Sequence, residues 1–208
     1  NLTVNAGYSA IQNTIGSGGS SVLNFTGITR NTDAVLGFTG SNLGISALAG
    51  NAEIKFGTAP TMTNNIIGGW AINSGTTFAT YSDTFGVSGV GETNAPGFTG
   101  TDLSTANAST GNFSNDSTAR TIPTGARAAN TWRMVGSEHN ITFGGGATGT
   151  QLTLGAGLVT NGGVPYRLLA GSAADTITGA TAANGGDGNL YFFINQNTTV
   201  IQPKITGT

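Results

Sequence analysis

Asn65-Ile66-Ile67-Gly68-Gly69-Trp70-Ala71-Ile72-Asn73-Ser74-Gly75-Thr76-Thr77-Phe78-Ala79-Thr80-Tyr81 sets the pattern for the whole chain. Two apolar runs, 66–72 and 78–81, flank a polar Asn-Ser-Gly turn. Branched and aromatic side chains favour pleated strands, while Asn, Ser and Gly favour tight turns, so the stretch reads as strand, turn, strand. No acid, base or metal ligand occurs in it. Ile66, Ile67, Trp70 and Phe78 are expected to be packing residues in a stack of strands, and the glycines are expected to let neighbouring segments approach closely.

The surrounding composition extends the pattern to all 208 residues. Charged residues are only 8%, Gly numbers 35, and hydrophobic residues reach 37%, with Thr, Asn and Ser making up the difference. Strong helix formers are scarce, and a disordered chain would carry more charge and less Ile, Val and Phe. An all-β protein of many short strands fits. The net charge of −2 builds no field for nucleic acid. No run approaches the roughly 18 apolar residues of a membrane helix, so membrane insertion is not expected. With no cysteine there is no disulfide framework, thiolate metal site or cysteine nucleophile. The chain begins at Asn1 without Met. It is expected to be an exported, extracellular or cell-surface protein after leader removal, or one segment of a longer polypeptide.

Short apolar runs recur throughout. Val22-Leu23-Asn24-Phe25, Ala34-Val35-Leu36-Gly37-Phe38, 45–49 and Ala52-Glu53-Ile54-Lys55-Phe56 each end at Gly, Asn, Asp or Thr. Gly-Phe-Thr-Gly occurs at 37–40 and again at 97–100. This is a loose internal repeat, of the kind found in β-solenoids, sandwiches and jelly rolls. The segment 99–129 is poor in pattern and is expected to be an irregular insertion in an otherwise single domain over 1–208. Order returns at Thr131-Trp132-Arg133-Met134-Val135, followed by runs at 141–143, 151–154, 157–159, 166–169 and 175–178. Leu190-Tyr191-Phe192-Phe193-Ile194 is the most apolar run and reads as a strand buried on both faces.

The order of these motifs resembles the autotransporter-associated β-strand-repeat surface proteins of the Verrucomicrobia and Planctomycetes type. The likeness lies in Ile54-Lys55-Phe56-Gly57-Thr58-Ala59-Pro60, then Gly68-Gly69-Trp70-Ala71, then Thr77-Phe78-Ala79-Thr80-Tyr81. It continues in Leu152-Thr153-Leu154-Gly155-Ala156-Gly157-Leu158-Val159 and Gly188-Asn189-Leu190-Tyr191. The resemblance implies an exported, β-solenoid-like (parallel β-helix-like) passenger with no catalytic residues to carry over. It also tips the choice between a solenoid and a β-sandwich or jelly roll toward the solenoid. The family's tandem short repeats and its C-terminal membrane barrel do not occur in these 208 residues.

Chemistry has few candidates. The nine carboxylates are scattered, as expected of acids that sit on turns for solubility and local hydrogen bonds. A polysaccharide-degrading β-helix enzyme, assembling distant acids with Arg or Lys, is the least favoured alternative. His139 is the single histidine, and Glu138-His139-Asn140 reads as a turn. Gly144-Gly145-Gly146-Ala147-Thr148-Gly149 matches a dinucleotide loop, but a strand and not a helix follows it. Gly185-Gly186-Asp187-Gly188 makes Asp187 a candidate calcium ligand, though calcium β-rolls stack such repeats and this one occurs once. Trp70, Trp132, Tyr81 and Tyr166 read as packing residues before sugar platforms. Asn107, Asn112 and Asn115 are clustered glycosylation sequons. No cofactor is expected.

Uncapped strand edges invite pairing with another copy. Leu2 and Val4 at one end and Val200, Ile201 and Ile205 at the other are the natural joining residues, with Trp70 and Phe78 holding the middle. The expectation is a non-enzymatic structural protein that self-assembles head to tail with copies of itself into a filament or surface layer. A carbohydrate-binding adhesin module on surface polysaccharide is the alternative.

Overall fold

The computed structural model describes residues 1–46, 48–105, 107–115, 118–136, 139–181, 187–195 and 198–207, and the regular structure among them is all β-strand. The strands gather into two compact units, Asn1–Gly97 and Phe98–Thr208. Each has its own hydrophobic cluster, so the even composition that suggests one domain conceals two cores.

The first unit begins with β1 (Leu2–Val4), β2 (Gly7–Asn13) and β3 (Ser21–Phe25). The next three, β4 (Ile28–Arg30), β5 (Ala34–Gly40) and β6 (Ala52–Phe56), lie parallel to them in the same order. Residues in register therefore stack like on like: Leu23 beside Ile54, Ile11 beside Phe38, and Phe25 on Phe56 with ring centroids 5.7 Å apart. Phe56 also meets the edge of Phe38, so the aromatic set lies at the centre of this core. The apolar run 45–49 forms no strand among its described residues. Its neighbourhood turns at Asn42 and Gly44, both at positive φ.

The opening stretch forms the hairpin its residues suggest. β7 (Ala71–Asn73) continues the parallel row beside β5, and β8 (Thr77–Ser82) then returns antiparallel to it, with Ile72 facing Phe78. Ser74 and Gly75 both take positive φ, 53° and 66°, and Thr76 N donates to Asn73 O at 3.0 Å. Two consecutive left-handed residues make the mirror-image turn whose twist suits a hairpin. β9 (Gly86–Gly89) pairs antiparallel to β8. The first strand is shorter than its apolar run. Ile66 bonds back to Thr63 through an isolated bridge, and Ile67 N donates to Ala79 O. Both side chains are still buried, because turns bury them as well as strands do. A side chain at Gly68 would run into the Trp70 indole, 2.3 Å from its nitrogen, so the glycine makes room for the ring.

Most successive strands of the second unit alternate between two parallel sheets. β10 (Ala108–Asn115), β12 (Gly125–Val135), β14 (Thr150–Asn161) and β16 (Thr176–Gly179) form one parallel row, closed by β19 (Lys204–Thr206), with β17 (Tyr191–Asn195) also on β14. β11 (Arg120–Ile122), β13 (His139–Phe143), β15 (Tyr166–Leu169) and β18 (Thr199–Ile201) form the other. The runs 151–154 and 157–159 are one long strand, β14. It carries a register shift where Ala129 faces Leu154 but Thr131 faces Gly157. Gly157 is required there, since a Cβ would lie 2.0 Å from the Tyr191 carbonyl oxygen.

Two expectations are corrected. The segment 99–129 is not an irregular insertion: it holds β10, β11 and the start of β12, with Phe113, Ile122 and Ala129 in the core. Its pattern is hidden because the interior there is partly polar. Asn112 Oδ1 accepts from Asn130 Nδ2 and from the Thr131 hydroxyl, both at 2.9 Å, and Asn115 Oδ1 accepts from the Trp132 indole. Amides that satisfy one another can be buried like apolar groups. Nor is the run 190–194 buried on both faces. Among the described residues β17 pairs with β14 alone, and its residues are half-buried, with Ile194 exposed.

Candidate functional site

In a parallel ladder each side chain is shielded by its neighbours above and below, so the last rung shows whether the stack is closed. Leu152, Ile177 and Ile205 share one register position after Arg127. The first two are fully buried and Ile205 is 53% exposed. Ile141 and Leu168 are fully buried behind Arg120, and Ile201 in the same row is half-buried. Trp132 and Leu158 are fully buried, and Phe192 is half-buried. β17, β18 and β19 each have one described partner strand, and Ile194 and Val200 add exposed apolar surface to that end. β1, β2 and β3 of the first unit likewise have one partner each. Leu2, Ile11, Leu23 and Phe25 are half-buried there, and Tyr8 and Val22 are exposed. Of the seven exposed large hydrophobic residues described, five lie on these terminal strands and none on an internal one.

The other end of the second unit is closed. Thr99 N donates to Asn112 O and Ser114 N to Gly100 O, laying 98–105 along β10. Leu103 is fully buried in the core. Asp102 meets the Arg120 guanidinium at 2.5 Å, while its other oxygen accepts from Ser104 N and Oγ. The Arg133 guanidinium lies 5.5 Å from the Phe98 ring centroid. Arg120 and Arg127 thus head ladders that are otherwise apolar, and the Arg120 charge is met by Asp102 of the covering segment. Nothing in the residue pattern pointed to this role, because Leu103 stands alone among polar residues.

The residues singled out from the sequence divide accordingly. Leu2, Val200, Ile201 and Ile205 lie on open edges. Val4 lies on the same edge strand as Leu2, but its side chain is buried in the core of the first unit, 2% exposed. Phe78 is buried and Trp70 is half-buried, with the Arg30 guanidinium 5.5 Å from its ring centroid. Trp132, Tyr81 and Tyr166 are buried. Tyr81 donates to Phe56 O at 2.9 Å and accepts from Phe56 N at 3.1 Å, so one phenol serves both backbone groups at the end of β6. Asn112 and Asn115 are buried, and their Oδ1 atoms accept from Asn130 and from the Trp132 indole. Asn107 is exposed, and its Oδ1 accepts from Ala128 N.

Asp187 accepts from Asn189 N and from the Tyr191 hydroxyl, one bond on each carboxylate oxygen. The neighbouring Gly185 and Gly186, and Glu138, lie outside the described residues. His139 opens β13. Among the described residues no three His, Asp or Glu side chains converge as metal ligands. The glycine loop 144–149 joins β13 to β14, so a strand follows it, and Gly145, Gly146 and Gly149 turn the chain at positive φ.

The described acids chiefly tie turns. Asp175, 1% exposed, accepts from Thr150 N, Gly171 N and Ser172 N at 2.5, 2.7 and 2.8 Å. Glu53 is buried with Lys55 Nζ at 2.8 Å. The Tyr166 hydroxyl lies 3.1 Å from the carbonyl oxygens of both Gly136 and Asn161. Burial raises the Tyr166 pKa above its ordinary value of 10.0, with the Arg133 charge offsetting part of the rise. The unfolded chain then gives up this proton at lower pH than the folded one, so the linked stability is intact below about pH 10 and falls above it. Tyr166→Phe is expected to flatten that alkaline decline in thermal melts across pH 9–11; an unchanged slope would refute the linkage.

No family model, curated protein or solved structure matches the chain.

Proposed function

We propose that this is a non-enzymatic extracellular structural protein, built of β-solenoid segments, that joins copies head to tail into a surface filament or layer. One observation carries it: apolar ladders fully buried at Leu152 and Ile177 run out at an exposed Ile205, on a strand with a free edge. The alternation of strands from β10 to β16 between two parallel rows supports a solenoid, in which successive coils add to the last. The covered end of the second unit supports polarity, since 98–105 closes one end and leaves the other available. An open strand edge is also a template for pairing. The likeness to exported β-strand-repeat proteins agrees with such a role.

Negative-stain electron microscopy and light scattering test it. The protein is expected to form particles that lengthen with concentration, and oriented material should diffract at about 4.8 Å along the fibre axis, the spacing of paired strands. Val200→Lys with Ile205→Lys should hold the protein monomeric, because two charges would be desolvated at each junction. Both residues are solvent-exposed, so the fold should survive the change. Dispersed monomers of the parent protein at high concentration would end the proposal.

A further inference from the structure

Turns of the first unit enclose a groove of about 400 Å³ whose lining includes Asn42, Leu43, Asn73, Ser74, Glu92 and Thr93. Its size is at the small end of ligand sites, and no aromatic ring lines it. The chemistry is one-sided. Glu92 accepts from Asn73 Nδ2 at 3.0 and 2.9 Å through its two oxygens, and from Gly89 N at 2.8 Å. Among the described residues no lysine, arginine or histidine forms an ion pair with it.

Asn73 is 1% exposed, and its Oδ1 has no hydrogen-bond donor. Its orientation is fixed, because turning the amide over would set that oxygen against the carboxylate, acceptor against acceptor. Asn42 Nδ2 is already given to Gly50 O. The groove therefore offers a carboxylate and the hydroxyls of Ser74 and Thr93, beside apolar contact from Leu43 and Ile45, while Asn73 holds the carboxylate in place. What it lacks is a positive charge.

We propose that this groove binds an amino sugar in its protonated form, with the ammonium on Glu92 and ring hydroxyls donating to Ser74 and Thr93. A hydroxylated ring supplies several donors at fixed spacing, and its C–H face suits Leu43 and Ile45. A free amine adds the charge that the groove leaves unmatched, and charge-assisted hydrogen bonds outweigh neutral ones. The site lies in the first unit and does not depend on assembly, so a protein that proved monomeric would still bind.

Titration calorimetry with glucosamine trisaccharide, its N-acetylated counterpart and cellotriose tests it. The free-amine sugar is expected to bind at least about tenfold more tightly than the other two. Glu92→Gln should lose about tenfold or more of that affinity, as should Thr93→Lys, which puts a competing cation on the exposed rim. Circular dichroism should match the parent for Thr93→Lys, which decides the matter if Glu92→Gln fails to fold. Equal affinity for free and acetylated sugars, no binding up to about 10 mM, or parental binding by Thr93→Lys would overturn the proposal.

Discussion

Asp175→Ala is expected to lower the stability of the protein by about 4 kcal/mol, since hydrogen bonds to a charged group contribute roughly 1.5–3 kcal/mol each and are not additive. The carboxylate is almost fully buried and takes three backbone N–H groups from two separate passes of the chain, one at Thr150 and one at 171–172. The backbone of Asp175 extends the same tie to a third pass, where its carbonyl accepts from Lys204 N at 2.9 Å. Alanine would strand three donors where water has little access. Asn should fall between the two, keeping one acceptor oxygen and turning an amide toward donors on the other side. Urea unfolding followed by tryptophan fluorescence gives the ordering Asp, Asn, Ala. An alanine variant within about 1 kcal/mol of the parent would show that the three bonds do not act together.

Trp132→Ala should cost about as much, roughly 3–5 kcal/mol, the usual range for removing a large buried aromatic side chain. Trp132 is the largest fully buried side chain, between Phe113 and Leu158 in register, and its indole N–H is the donor to the buried Asn115. Two terms add: a cavity in the middle of a ladder and an orphaned amide oxygen. Trp132→Phe separates them, because it keeps most of the ring and loses the donor. It should cost about 1–3 kcal/mol, the penalty of the unsatisfied oxygen. If Phe proves as costly as Ala, the hydrogen bond matters more than the volume.

The all-β class was legible because the turn residues and β-branched runs agree along the whole chain. The hairpin at Asn73, Ser74 and Gly75 was legible for the same reason, since Asn, Ser and Gly are turn residues and Gly75 takes positive φ without steric cost. Val200, Ile201 and Ile205 stood out as apolar residues near a terminus, and they do lie on open edges. The polar interior was not legible. Asn112, Asn115 and Thr131 look like coil residues in one dimension and become core residues only when register places each beside its partner. Asp175 and Leu103 were missed for a related reason, because each acts on segments that sequence distance hides. Strand 191–195 was misjudged in the opposite direction: its side chains are apolar enough for an interior, but no described strand lies beyond it.

The reversal of direction at Ser74 and Gly75 has an evolutionary consequence. A parallel row can be lengthened by copying one whole turn of chain, since every copy presents the edge that the next one needs. An antiparallel return cannot be copied this way, because the strand after it runs backwards and offers the wrong edge. Duplication or loss of whole turns should therefore be tolerated before Ala71, while the stretch from Ala71 to Gly89 should change by single residues and keep its length.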